Sequence, residues 1–307
     1  MRIVLIAHPS LGSKALEAIL KRGEEVVAVF APGGDPEKAE PLKELADKSG
    51  IPVHQPAHMK DASVYERVAS YEPELGLMAF ISEIVPPAIV NCPKRGTIMY
   101  HPSLLPKHRG GSAINWAIIN GESKTGLSII WPDEGIDTGP ILLQKEVDIL
   151  PDDTVGSLFF NKLYPMGVDA LVKAIELIKE GKASRTPQDN SQATYEPLCR
   201  EQHSIIDWAK PAQKVYNLIR GTNPKPGAST TWQGQKLKIF DCRLTDSAPV
   251  AAPGEVIFTS EEGFAVACLG GGITVERVQP IGSGKISATA FSKAVNLKKG
   301  DKLGERK

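Results

Sequence analysis

The chain has no surplus of either charge: 36 Lys and Arg stand against 36 Asp and Glu in 307 residues. Coating nucleic acid or an anionic membrane depends on a basic surplus, so only a local basic patch could serve such a role. Cysteine is sparse. The four, Cys92, Cys199, Cys242 and Cys268, lie far apart with no Cys-x-x-Cys pair, which argues against a disulfide framework and a paired-thiolate zinc site. They read as reduced thiols of a cytoplasmic protein. No stretch approaches 18 apolar residues, and the N-terminal apolar run is a strand's length, interrupted by His8 and Pro9. Neither a membrane span nor a secretion signal is expected. The first βα turn, His8–Ser13, has one glycine where a dinucleotide fold needs three, and there is no P-loop and no G-x-S-x-G. No NAD, no ATP chemistry and no metal are expected.

What is present is a change of pattern along the chain. To about residue 180, short β-rich runs (Ile3–Ala7, Val26–Phe30, Leu75–Phe80, Gly96–His101, Gly126–Trp131, Ile141–Val147) alternate with helical patterns, ending in a long helix at Thr154–Glu180. This predicts a doubly wound α/β domain with a mostly parallel sheet over residues 1–181. Residues 182–203 are polar and poor in aliphatics, the composition of a surface linker. From 204 to 307, one helix at Ala209–Arg220 precedes short candidate strands near 228–232, 236–243, 254–258, 263–268 and 272–279. They predict a small OB-like β-barrel.

Two stretches stand out chemically. In Tyr100-His-Pro-Ser-Leu-Leu-Pro-Lys-His-Arg-Gly-Gly-Ser-Ala-Ile-Asn-Trp116, a strand delivers His101 at its C-terminal end, where open α/β sheets form their ligand crevice. In Trp131-Pro-Asp-Glu-Gly-Ile-Asp-Thr-Gly139, Asp133, Glu134 and Asp137 crowd a Gly/Pro loop between two strands. By residue type alone, a structural histidine and an acidic solvated turn explain this pattern better than a shared site.

The two stretches, with His101 and Asp137 36 positions apart, resemble the active-site signatures of the 10-formyltetrahydrofolate-dependent formyltransferase superfamily. There a His from H-x-S-L-L-P and the Asp of (L/I)-D-T-G act on a formyl group. Residues 207–228 are similar to the entry of the C-terminal barrel of methionyl-tRNA formyltransferase and its relatives, so the resemblance covers nearly the whole chain. It implies His101 and Asp137 as catalytic residues and 10-formyltetrahydrofolate as formyl donor. It also implies that the pterin lies beside Phe80–Val85 and the Asp133–Gly135 turn, with Glu83, Ile84 and Val85 as contacts. Phe80, Ser103, Asp133 and Glu134 complete the expected binding set, Ser103 and Lys107 shaping the loop.

Most transferases of the family carry Asn two residues before the His, as an oxyanion donor; here that position is Met99. The run around His101, Asp-Asp-Thr at 152–154 and Ala-Thr-Tyr-Glu at 193–196 are similar to the hydrolase domain of 10-formyltetrahydrofolate dehydrogenase, which likewise has an apolar residue before Tyr-His-Pro-Ser. A chain of this length has no room for that protein's dehydrogenase domain, so a stand-alone relative of the hydrolase module is expected. Its partners are the small-molecule folate and, as acceptor, water or an amine. The alternatives are a methionyl-tRNA formyltransferase and a non-catalytic folate-binding protein. The tRNA-formylating branch uses a basic insertion after the second strand, whereas Ala31–Pro41 here has three acids and one Lys. The tail 298–307, five positive to two negative, is explained equally well by solvation.

Overall fold

The computed structural model describes residues 1–32, 36–81, 83–245 and 251–304. The chain forms two compact units, each with its own core. The first comprises Met1–Gly111, Gly126–Val147 and Phe160–Tyr195; the second comprises Ser112–Thr125, Asp148–Phe159 and Glu196–Lys307. Two stretches of the N-terminal half thus belong to the second unit.

The first half contains β1 (Arg2–Ala7), α1 (Pro9–Lys21), β2 (Glu25–Phe30), α2 (Pro36–Lys48), β3 (Val53–His54), α3 (Ala62–Ser70), β4 (Leu75–Ala79), α4 (Pro87–Val90), β5 (Thr97–His101), β6 (Arg109–Gly110), α5 (Ala113–Asn120), β7 (Lys124–Ile130), β8 (Ile141–Asp148), α6 (Val155–Leu158) and α7 (Tyr164–Lys179). Seven strands form one sheet in the order β3-β2-β1-β4-β5-β7-β8. The first five in that order run parallel, and β7 runs antiparallel to β5 with Met99 opposite Ile130 and His101 opposite Ser128. Successive residues of β1 feed opposite faces, as a pleated strand requires. Ile3, Leu5 and Ala7 join the core under α1 and α7, while Val4 and Ile6 join the one lined by Val64, Val68 and Ile89 of α3 and α4. Burial on both faces is why these strands are continuous apolar runs.

The helix expected over Thr154–Glu180 is interrupted. A π-helical turn at Phe159–Leu163 separates α6 from α7, and α7 opens with Pro165 in its first turn, where a missing N–H costs nothing. Gly167 lets α7 approach the sheet: a Cβ there would stand 2.7 Å from the Tyr100 ring. Helix α2 occupies part of the acidic loop; Gly33–Asp35 of that loop, and Glu305–Lys307 of the tail, lie outside the described residues.

The remaining elements are β9 (Tyr195–Glu196), α8 (Ala212–Gly221), β10 (Ala228–Trp232), β11 (Gln235–Ile239), β12 (Cys242–Thr245), β13 (Val256–Ser260), β14 (Gly263–Cys268), β15 (Gly271–Val275), β16 (Arg277–Pro280), β17 (Ile286–Ser287) and α9 (Ala288–Val295). β10 to β17 form two antiparallel four-stranded sheets, β10-β11-β16-β17 and β12-β15-β14-β13. The runs expected as single strands at 236–243 and 272–279 each break at a corner and supply one strand to each sheet. Trp208, Val215, Ile219, Phe264, Val275 and Phe291 fill the core of this unit. Helix α5, from the Ser-Ala-Ile-Asn-Trp motif, packs on α8 here. Asn115 Nδ2 donates to the Gly221 carbonyl at 2.9 Å, and a Cβ on Gly221 would stand 2.6 Å from Ile119. Trp116 is half-buried and donates to the Pro197 carbonyl at 2.7 Å.

Candidate active site

Strand β5 ends at His101, and the chain then folds back on itself. Ser103, fully buried, donates to the Lys107 carbonyl at 2.6 Å, and Ser128 Oγ donates to the Ser103 carbonyl at 2.7 Å. The return brings the His108 carbonyl to 2.9 Å from His101 Nε2. A carbonyl can only accept, so Nε2 carries a proton and the ring is locked with Nδ1 as its other edge. Nδ1 faces Asp137 Oδ2 at 3.5 Å, both side chains nearly enclosed. That distance exceeds a good hydrogen bond, and it lets both groups reach one further atom lying beside them.

Asp137 reaches this position through an uncommon backbone. It is a non-glycine residue at φ +55°, in the left-handed region that Asp tolerates better than most. Three features hold the loop. Asp133 Oδ1 accepts from Thr138 Oγ1 at 2.5 Å and from Gly135 N at 3.1 Å; Gly110 N donates to Asp137 Oδ2 at 2.8 Å. Gln188 Nε2 donates to the carbonyls of both Asp137 (2.8 Å) and Gly139 (2.7 Å).

Gln188 lies in the segment whose composition reads as a linker, and here that reading fails. Residues 184–195 run as a seam along both active loops. The Ser184 carbonyl accepts from Trp131 Nε1 at 2.9 Å, and the Arg185 guanidinium stacks 3.9 Å over the same indole. Thr186 and Ile141 exchange two main-chain hydrogen bonds, and Thr194 receives His108 N on its hydroxyl and Arg109 N on its carbonyl. Arg109, 2% exposed, is the centre of the seam. Its Nε and Nη2 donate to Gln188 Oε1 (3.1 and 2.7 Å), Nη2 also to Asn190 Oδ1 (2.8 Å), and Nη1 to Tyr195 Oη (2.7 Å). A cavity of about 480 Å³ borders Arg109, Asp133, Thr138, Gln188, Asn190 and Tyr195.

The other expected contacts separate. Phe80, at φ +60°, follows β4, with its ring edge-on to His8 (6.3 Å) and 6.2 Å from Tyr100. Ile84 is 80% exposed, whereas Val85 is buried in the core under α4. Glu83 accepts from Met59 N at 3.1 Å and pairs with His58 at 3.7 Å, which anchors its loop. Ser103 has no exposed surface and only shapes its loop. Asp133 and Glu134 are exposed on the turn. Met99, on the same face of β5 as His101, packs against the core containing Val85 and Ile89. Sequence reasoning missed Arg109, Gln188, Asn190 and Tyr195; the one available signal was the Ala-Thr-Tyr-Glu run at 193–196. Among the described residues, no group of three or more His, Cys, Asp or Glu could hold a metal ion.

The Formyl transferase family pattern matches residues 1–175, and the pattern of the Formyl transferase C-terminal domain matches residues 199–296. The chain belongs to the formyl transferase family. It is 43% identical over 256 residues to the cytosolic 10-formyltetrahydrofolate dehydrogenase of Mus musculus, covering 82% of this chain and 28% of that protein. The chain therefore spans little more than a quarter of the dehydrogenase it matches. It is 37% identical over 296 residues to the methionyl-tRNA formyltransferase of Trichlorobacter lovleyi, covering 94% of this chain and 93% of the other. In fold it is similar to HypX from Aquifex aeolicus, solved with tetrahydrofolic acid: TM-score 0.69 and 18% identity over 97% of this chain and 48% of that one.

Proposed function

We propose that this formyl transferase family member acts on 10-formyltetrahydrofolate and, with water as acceptor, hydrolyses it to tetrahydrofolate and formate. The observation that carries the chemistry is the juxtaposition of His101 Nδ1 and Asp137 Oδ2. A formyl group on N10 is amide-like, so attack on its carbon yields a tetrahedral oxyanion and expulsion of N10 requires a proton. Asp137 takes the proton from the attacking water as the C–O bond forms. The His101 Nδ1–H stabilises the oxyanion and then protonates N10 as the C–N bond breaks. Transfer of the proton from Asp137 to Nδ1, across 3.5 Å, restores the pair. The pterin is assigned to the surface bordered by Phe80, Ile84 and the Asp133–Gly135 turn.

Met99 favours water over an amine. The amide that other family members supply two residues before the His is absent, and loss of one oxyanion donor costs about 100- to 1,000-fold in rate. The higher identity to the dehydrogenase than to the tRNA enzyme supports the same choice. The proposal includes a cytoplasmic location: the four cysteines are free, and burial pushes the thiols of Cys199 and Cys268 up to about 11 and about 12. No helix among the described residues is long and apolar enough to cross a membrane.

The test is to incubate the protein with 10-formyltetrahydrofolate, with and without charged initiator tRNA. Formate release without acceptor is expected. Label appearing on Met-tRNA alone would instead make the chain a methionyl-tRNA formyltransferase, and binding without turnover would make it a folate-binding protein.

A further inference from the structure

We propose that Gln188 is a positioning residue for the Asp137 carboxylate, through which the buried Arg109 guanidinium acts on the reaction. This rests on the proposed hydrolysis for its kinetic consequences but on geometry alone for its existence. Gln188 has an amide with one acceptor and two donors, and both ends are engaged: Oε1 by Arg109 Nε and Nη2, Nε2 by the carbonyls of Asp137 and Gly139. The amide can satisfy both sides in one orientation only, because Arg109 can only donate and the two carbonyls can only accept.

The alternative use of Arg109, as an anion hook in the adjoining cavity, is excluded by its donors. Of its five N–H groups, four point at Gln188, Asn190 and Tyr195, and the side chain is 2% exposed. The cation is turned inward. Its neighbour Gly110 also donates to Asp137 Oδ2. One two-residue strand therefore grips Asp137 twice, on the carboxylate directly and on the peptide through Gln188. That double grip holds a non-glycine residue at φ +55° with its carboxylate 3.5 Å from His101.

The test compares Gln188→Met, which keeps length and removes every hydrogen bond, with Gln188→Glu, which keeps the acceptor for Arg109 and turns the donor into a second acceptor. Asp189→Ala is the control, because among the described residues the Asp189 carboxylate accepts only from Ser191. Two readouts are taken: steady-state hydrolysis of 10-formyltetrahydrofolate, and the NMR ring signals of His101 at one fixed pH, assigned with His101→Gln. These signals report the group that lies beside Nδ1, which is the Asp137 carboxylate. Both Gln188 variants are expected to move them, as Asp137→Asn should. They should also lower kcat about 10- to 100-fold, the cost of a small misplacement, with KM changed less than about threefold; the control should match wild type.

The proposal is overturned if Asp137→Asn moves the His101 ring signals while both Gln188 variants leave them as in wild type. It is also overturned if Asp137→Asn itself leaves them unmoved, or if Asp189→Ala moves them as far as Gln188→Met. Absence of wild-type turnover would sink the proposed hydrolysis and leave the ring signals to decide the role of Gln188.

Discussion

Two arginines, one in each unit, are almost closed to solvent: Arg109 is 2% exposed and Arg220 is 7% exposed. Each lies near a tyrosine ring, Arg109 at 5.3 Å from Tyr195 and Arg220 at 5.6 Å from Tyr216. Their acceptors differ. Arg109 bonds side chains, Gln188, Asn190 and Tyr195, of a segment that also grips the Asp137 loop. Arg220 bonds the main-chain carbonyls of Leu150 and Asp153 and the side chain of Asn217. A cation anchored on main chain fixes where segments lie. A cation anchored on amides that are themselves holding a reactive loop fixes where a carboxylate lies. Under the proposed function, the same buried charge serves architecture in one unit and chemistry in the other.

The largest expected effect separates the two directly. Arg109→Met should lower acceptor-free turnover by about 100-fold or more, because Gln188 and the Asp137 loop lose their anchor. Arg220→Met should leave turnover within about threefold of wild type and instead destabilise the fold by about 3 kcal/mol, since buried carbonyls are left unsatisfied. Turnover and urea unfolding measured on both variants check this; equal loss of turnover would erase the distinction.

A half-buried polar group in the first unit need not serve the reaction, and His54 sharpens that point. Its Nε2 meets Tyr71 Oη at 2.8 Å, and its Nδ1 lies 3.4 Å from Arg67 Nη1. Burial, then the Arg67 charge, hold its pKa below its ordinary 6.5. The depressed value means that the unfolded chain binds this proton more readily. The stability contribution is therefore complete above about pH 6.5 and lost as pH falls from there through the folded value. The melting temperature of wild type should fall faster than that of His54→Gln below pH 6.5, with turnover at neutral pH equal in the two. The smallest effect is expected where an arginine is exposed. Arg243 pairs with Glu262 and Glu276 on the surface of the second unit, and Arg243→Ala should cost less than about 1 kcal/mol.

The sheet was legible because its strands are apolar on both faces, and His101 and Asp137 were legible because the residues around them form a recognisable motif. The seam at 184–195 was not. Its work is done by Gln188, Asn190, Thr194 and exposed backbone, residue types that also make solvated linkers, and side-chain amides leave no periodicity. Helix α9 was missed although Ser287 caps it, accepting from Ala290 N at 3.1 Å, with Ala288, Phe291 and Val295 on one face. Its eight residues give little more than two turns of helical periodicity. Val85 was ambiguous for the opposite reason: an apolar residue after a strand looks the same whether it meets a ligand or the core.

The most direct measurement is the rate of formate release from 10-formyltetrahydrofolate, without acceptor, by wild type and Asp137→Asn, with tetrahydrofolate affinity measured alongside. The account predicts steady formate release by wild type and a fall of at least about 100-fold in the variant, with affinity little changed. Release by Asp137→Asn at near wild-type rate would contradict it.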